Sequence, residues 1–132
     1  MTGKLLESHP IHLGANGSAV PQPEFPRDSQ AMQWYMDYGA RHSEEDGWLI
    51  SCFRFAEDWA GWEMHPAGAE VVVCVEGSMT LIQEIDGEEV RTTLEPGEYA
   101  INPPGVWHTA DVHGQATGFF VTTGAGTQGR PR

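Results

Sequence analysis

From residue 48 onward the chain alternates short apolar runs with turn-forming residues. The runs cover 48–55, 61–65, 70–76, 79–85, 89–94, 99–102, 107–112 and 118–123. Gly77, Asp86-Gly87, Pro96-Gly97 and Pro103-Pro104-Gly105 fall between successive runs. Asp86-Gly87 is the strongest hairpin signal among them, because both residues tolerate the positive φ of a two-residue hairpin turn. Val71, Val72, Val73 and Val75 are β-branched and suit a pleated surface. About eight short strands with turns every 8–12 residues predict an all-β sandwich or barrel.

The chain before residue 48 is different. Gly14, Gly17, Pro21, Pro23 and Pro26 break any helix, and proline cannot donate to a central strand. Residues 1–27 therefore read as an arm or an extended edge piece. Residues 28–38 predict a short helix, capped by Asp28 or Ser29, with Met32, Tyr35 and Met36 on one face and Gly39 ending it. The Gly-rich end, 125–132, reads as a flexible tail. The barrel is thus expected over 28–124.

At 132 residues the chain is one domain, long enough to hold a core without staples. Its formal charge of -12, from 19 acidic and 7 basic residues, lacks the basic footprint that phosphates require. Nucleic acid and anionic membranes are therefore poor partners. No apolar stretch is long enough to span a bilayer or to form a signal-peptide core, so a cytoplasmic protein is expected. Cys52 and Cys74 sit in apolar runs without a Cys-x-x-Cys spacing, which predicts two buried free thiols.

Chemistry enters at Trp62-Glu63-Met64-His65. Residues two apart on a strand point the same way, so Glu63 and His65 share a face about 7 Å apart. A tight link over 66–69 then delivers Glu70 at the head of the next strand. Mixed nitrogen and oxygen donors suit a first-row divalent ion.

Residues 61–77 resemble the first cupin motif: Gly61, a pair ending in His65, Glu70 after a short gap, then Gly77. Residues 97–108 resemble the second: Gly97, Pro103, Gly105 and His108. The resemblance spans about 48–123. It implies a jelly-roll barrel, or double-stranded β-helix, that holds one divalent transition metal (Fe, Mn, Zn or Ni) through Glu63, His65, Glu70 and His108. Two positions depart from the family. Glu63 replaces the first histidine of the pair, and Val112 stands where an asparagine often closes the second motif. A 2-His-2-Glu set is chemically sound for these metals. Off the metal, Glu63 becomes the candidate general base, because a dry pocket raises a carboxyl's pKa. The swap is also what a barrel that has lost its ion would show.

The resemblance implies a metal-dependent enzyme of dioxygenase, isomerase or lyase type acting on a small organic molecule. The alternative is a non-catalytic binding or sensor module with a structural or absent metal. A homodimer is expected, with Leu5, Leu6, Ile11, Leu13, Val20 and Phe25 of the arm laid over the partner barrel. Arg54 reads as a rim or outward salt-bridge residue, the alternative being that it faces the pocket and meets a substrate carboxylate. Trp59, Trp62 and Trp107 read as core or barrel-mouth packing, making an aromatic-walled pocket if one faces in. His9 and His12 carry no site, and His42 and His113 read as loop residues.

Overall fold

The structure, a computed structural model, describes residues 2–27, 29–42 and 46–132. Its strands are β1 (Ile11–Leu13), β2 (Ala19–Pro21), β3 (Trp48–Phe55), β4 (Gly61–Met64), β5 (Glu70–Ile85), β6 (Glu88–Leu94), β7 (Tyr99–Asn102), β8 (His108–Thr122) and β9 (Gln128–Pro131). They form one curled antiparallel sheet in the order β2-β1-β3-β8-β4-β9, with β5 pairing β6, β7 and β8. The all-β barrel expected from the turn spacing is the observed fold, with one α-helix, α1 (Ala31–Arg41). None of its helices is long and apolar enough to cross a membrane.

Two pairs of expected strands turn out to be continuous. Runs 70–76 and 79–85 are both β5, and runs 107–112 and 118–123 are both β8. Gly77 does not end a strand. It sits in a bulge where β5 shifts register against β8, and a bulge and a turn look alike in a sequence of short runs. Asp86-Gly87 makes the expected hairpin between β5 and β6, both with positive φ.

Inward-facing side chains of these strands form the core: Val72, Cys74, Met79, Leu94, Ala110, Ala116 and Phe120, with Phe53, Phe55 and Trp59 packed on them. Cys74 is a buried thiol, whereas Cys52 is only half-buried on the outer face.

Helix α1 begins later than expected and continues through Gly39, which lies against the backbone of Ala125 and Gly126. Its N-cap is Gln30, which makes no side-chain cap; Asp28, one of the expected caps, lies outside the described residues. The buried face is Trp34, Tyr35 and Tyr38, with Met32 beside it, while Met36 is exposed. Burying each of these large aromatic side chains stabilises the docked helix by roughly 2 kcal/mol, so aromatic packing rather than capping sets the helix in place. Phe25 locks it to the barrel by contacting Trp34, Tyr35 and Phe53.

The arm folds on its own barrel. β1 pairs β3 and β2 pairs β1, and Phe25 N–H donates to the Ser8 carbonyl. This corrects the expectation that the arm covers a neighbour: three residues of β1 complete the edge of β3 within the chain. The tail expected to fray forms β9, which pairs β4 from Gly61↔Pro131 to Met64↔Gln128. Arg130 anchors it, with its guanidinium 5.2 Å from the Trp62 ring and 4.5 Å from the Trp107 ring and paired to Glu84.

The outer face of the sheet is unusually apolar. Ile11, Ile50, Val121, Val71 and Ile101 stand in register across β1, β3, β8, β5 and β7. Cys52, Phe119, Val73 and Tyr99 form a second such row. Tyr99 and Ile101 are the most open of these, at 64% and 51%.

Candidate metal centre

The register of the sheet brings the four expected residues together. Glu63 on β4 stands opposite His108 on β8, and His65 follows two residues on, just past the end of β4. Glu70 opens β5, flanked in register by Asn102 on β7 and Thr122 on β8. Glu63, His65 and His108 each offer a donor atom within 4.8 Å of one another. Glu70 bridges the two imidazoles, with one oxygen 3.2 Å from His65 Nε2 and the other 3.2 Å from His108 Nε2. Glu63 Oε2 lies 4.0 Å from His65 Nε2. His65, Glu70 and His108 are buried, and Glu63 is half-buried.

The surrounding hydrogen bonds fix the direction of every donor. Gln83 Nε2 donates to the Ile101 carbonyl and to Asn102 Oδ1, at 2.8 Å each. Asn102 must then turn its Nδ2 to Glu70, which it reaches at 3.0 Å. Thr122 Oγ1 donates to the other Glu70 oxygen at 2.6 Å. Thr127 Oγ1 donates its one proton to the Gly124 carbonyl at 2.8 Å, so it accepts from His65 Nδ1–H at 2.8 Å. His108 Nδ1–H donates to the Val106 carbonyl at 3.3 Å. Neutral imidazole carries one proton, so both rings present a bare Nε2 lone pair to the Glu70 carboxylate. Each Nε2 is fully buried, and neither makes a hydrogen bond; the 3.2 Å approach to Glu70 lacks the required angle. Two lone pairs and a carboxylate converging in a dry interior repel one another unless a cation lies between them.

Without a cation between them, the carboxylates draw a proton onto the His108 imidazole, supplying the positive charge that a divalent ion would bring. Burial pushes the Glu70 carboxyl up, but the adjacent His108 and His65 outweigh it and hold the group well below the ordinary carboxylate range. Burial works against a charged His108, yet Glu70 and then Glu63 hold its pKa above the usual imidazole value. Burial also raises Glu63, with Glu70 adding to the rise and His65 opposing it. The donor set of two neutral imidazoles and oxygen ligands fits a first-row divalent ion, and a hydrogen-bond acceptor on each far ring nitrogen is the usual support of a metal-ligating histidine.

A cavity of about 670 Å³ opens above this cluster, with Glu63 and Glu70 in its lining. Phe25, Phe53, Phe55, Trp59, Trp62 and Phe120 give it an aromatic wall. Trp59 and Trp62 thus face the pocket, whereas Trp107 flanks Arg130. Arg54 is at the rim and exposed, 3.3 Å from Glu7, as expected of a surface ion pair. His12 is buried under α1, bonded to Tyr38 and stacked on His42. His113 is a β8 strand residue bonded to Thr80 rather than a loop residue.

Sequence reasoning missed Asn102, Thr122, Thr127 and Tyr35. The first two were findable once strand register was known, since they flank Glu70. Tyr35 was placed on a helix face with no partner assigned, and its hydroxyl lies in the field of the site: burial, then Glu63 and Glu70, push its pKa well up.

A family model described as the cupin domain matches residues 55–124, just over half of the chain. No curated protein matches the sequence. Among solved structures, peruvianin-I, a cysteine peptidase from Thevetia peruviana latex, is 22% identical with a TM-score of 0.54, over 62% of this chain and 55% of that one. A recombinant oxalate oxidase in complex with glycolate is 15% identical with a TM-score of 0.55, over 61% and 45%. Protein NMB1881 from Neisseria meningitidis is 23% identical with a TM-score of 0.50, over 58% and 74%. The chain spans about half the length of the first two. At these identities the likeness carries the fold.

Proposed function

The chain belongs to the cupin family, and from that premise we propose that it is a metal-dependent enzyme whose divalent ion is held by Glu63, His65, Glu70 and His108. The observation that carries this reading is the pair of fixed tautomers: both buried imidazoles turn an unshared Nε2 lone pair toward one carboxylate. Asn102 and Thr122 hold that carboxylate in place, and Thr127 and Val106 hold the rings. A bound Fe, Mn, Zn or Ni ion there supplies Lewis-acid polarisation of a substrate oxygen. The aromatic wall excludes water from the reacting molecule and packs against its apolar part. Chemistry of oxygenase, isomerase or lyase type on a small organic molecule is the reading this supports best.

Glu63 is the ligand that approaches from the opposite strand. Its side chain keeps more exposure than the other three and makes no side-chain hydrogen bond to a described residue. Elemental analysis of the purified protein is expected to find about one equivalent of a transition metal. Glu63→Gln is expected to weaken the ion at least tenfold, because a neutral amide replaces an anionic ligand. If Glu63→Gln retains full metal and loses turnover, Glu63 acts as a base and leaves the ligand set.

The working unit on this reading is a homodimer joined through the outer sheet face. The two in-register apolar rows carry no charge, although the chain as a whole is strongly acidic. A self-complementary face of this kind suits a two-fold pair. Light scattering is expected to give twice the chain mass, and Tyr99→Lys with Ile101→Lys to give one chain mass. A wild-type monomer at micromolar concentration removes the dimer.

A further inference from the structure

Two buried, uncharged hydroxyl side chains outside the ligand set line the cavity above the metal cluster. Tyr35 comes from α1 and Ser51 from β3, both outside residues 55–124 of the family match. Tyr35 is 7% exposed and Ser51 3%, and both line the cavity. Neither hydroxyl has a hydrogen bond to any described residue. Neither is sealed off either, since they are absent from the fully buried, unpartnered atoms that include Trp59 Nε1. A buried hydroxyl left without a protein partner costs stability unless something in the cavity satisfies it. Ser51 stands between Leu49 and Phe53, its apolar neighbours on the same face of β3.

The charges of the cavity restrict what the pair can hold. Three arginines line it: Arg27 and Arg54 share the carboxylate of Glu7, and Arg130 pairs with Glu84. Five carboxylates line it as well: Glu7, Glu57, Asp58, Glu63 and Glu70. A divalent ion between Glu63 and Glu70 would bring the floor near neutrality, which leaves no surplus positive charge for an anionic substrate. The remaining recognition elements are flat aromatic rings and two hydroxyls.

We propose that Tyr35 and Ser51 are the substrate-positioning pair of this pocket, and that the substrate is an uncharged, planar aromatic molecule bearing a hydroxyl or carbonyl group. The rings of Phe53, Phe55, Trp59 and Phe120 cover its faces, and the two hydroxyls bind its polar edge. Helix α1 thereby does more than cover the barrel mouth: it brings in one of the two groups that select the ligand. The inference rests on the metal-centre reading for the orientation of the ligand and for the near-neutral floor, whereas the two hydroxyls and the aromatic wall stand without it.

The test is calorimetric titration with three probes of one shape: phenol, benzoate and benzylammonium. The wild type, Tyr35→Phe and Ser51→Ala are each titrated with and without bound zinc, and the metal content of every sample is measured. Phenol is expected to bind at least tenfold tighter than either charged probe to the zinc-loaded wild type. Tyr35→Phe is expected to weaken phenol about tenfold and Ser51→Ala about fivefold, the worth of one hydrogen bond each, with metal content unchanged. Benzoate or benzylammonium binding as tightly as phenol overturns the substrate class. Phenol binding that is equal in wild type and both variants overturns the pair. Selective phenol binding in a protein that takes up no zinc leaves this inference standing and removes the metal reading instead.

Discussion

His65→Ala and His108→Ala are each expected to lower metal affinity by at least about a hundredfold, so that the purified variants carry little of the equivalent expected in the wild type. Loss of an outer hydrogen-bond partner alone typically costs 10–100-fold in metal affinity, and loss of a ligand costs more. Each substitution also leaves Glu70 beside one imidazole instead of two, in a buried position where an uncompensated carboxylate is costly. The effect extends to stability. A metal that binds only the folded chain stabilises it in proportion to the logarithm of its concentration over Kd, roughly 2.7 kcal/mol at a hundred times Kd. The thermal midpoint of the wild type is therefore expected to rise on metal addition, and that of both variants to stay nearly fixed. Full metal occupancy in both variants would show that the ion is held elsewhere.

Much of this site was legible in the sequence, for a definite reason. Glu63 and His65 lie two apart on a strand, Glu70 follows a tight link, and His108 closes a second motif. Such relations depend on strand period and turn chemistry, which are local. What was not legible depends on pairing. Thr122 meets Glu70 because β8 is one strand of fifteen residues that crosses the whole barrel, and short runs separated by Gly114 and Gly118 conceal that continuity. The sequence places Thr127 in a tail expected to fray, as glycine-rich ends usually do. Here β4 offers an unpaired edge, and Arg130 seats between Trp62 and Trp107, so the last residues order and Thr127 is carried to His65.

The arm shows the same limit from the other side. Its prolines fit the edge strand β2, which ends on Pro21, but the proline-free β1 is paired on both sides, by β2 and β3. The composition gave no way to choose between the chain's own β3 edge and a partner's. The observed pairing satisfies the edge within the chain and shifts the candidate interface to the outer face, where the exposed apolar residues of β7 lie. The ends of helix α1 differ from the capping pattern because its position follows from what Trp34 and Tyr38 bury, not from its caps. Tertiary packing overrode the capping signal.

Gly77→Ala is expected to destabilise the protein by about 3 kcal/mol or more, and the metal centre is expected to suffer with it. Gly77 has φ of +73°, and a Cβ placed there would lie 1.9 Å from the Gln115 carbonyl oxygen and 2.9 Å from Ala116 Cα. Both are backbone atoms of the neighbouring strand, so no side chain can swing aside to make room. The glycine also occupies the bulge at which β5 changes register on β8. Before the bulge, β5 sets Glu70 opposite Thr122; after it, β5 sets Gln83 opposite His108. A shift at this point displaces the two halves of the cluster relative to each other. Gly87→Ala separates the causes. Gly87 has a φ of +79°, but nothing lies within 4 Å of an added Cβ. That variant should lose only the cost of a left-handed alanine, about 1–2 kcal/mol. Urea unfolding of both metal-free variants gives the difference directly, provided the transitions stay two-state. A larger loss in Gly77→Ala, with metal affinity reduced in that variant alone, is the expected result. Equal losses in the two would mean that the strands part at Gln115 without strain, and that the bulge does not set the geometry of the centre.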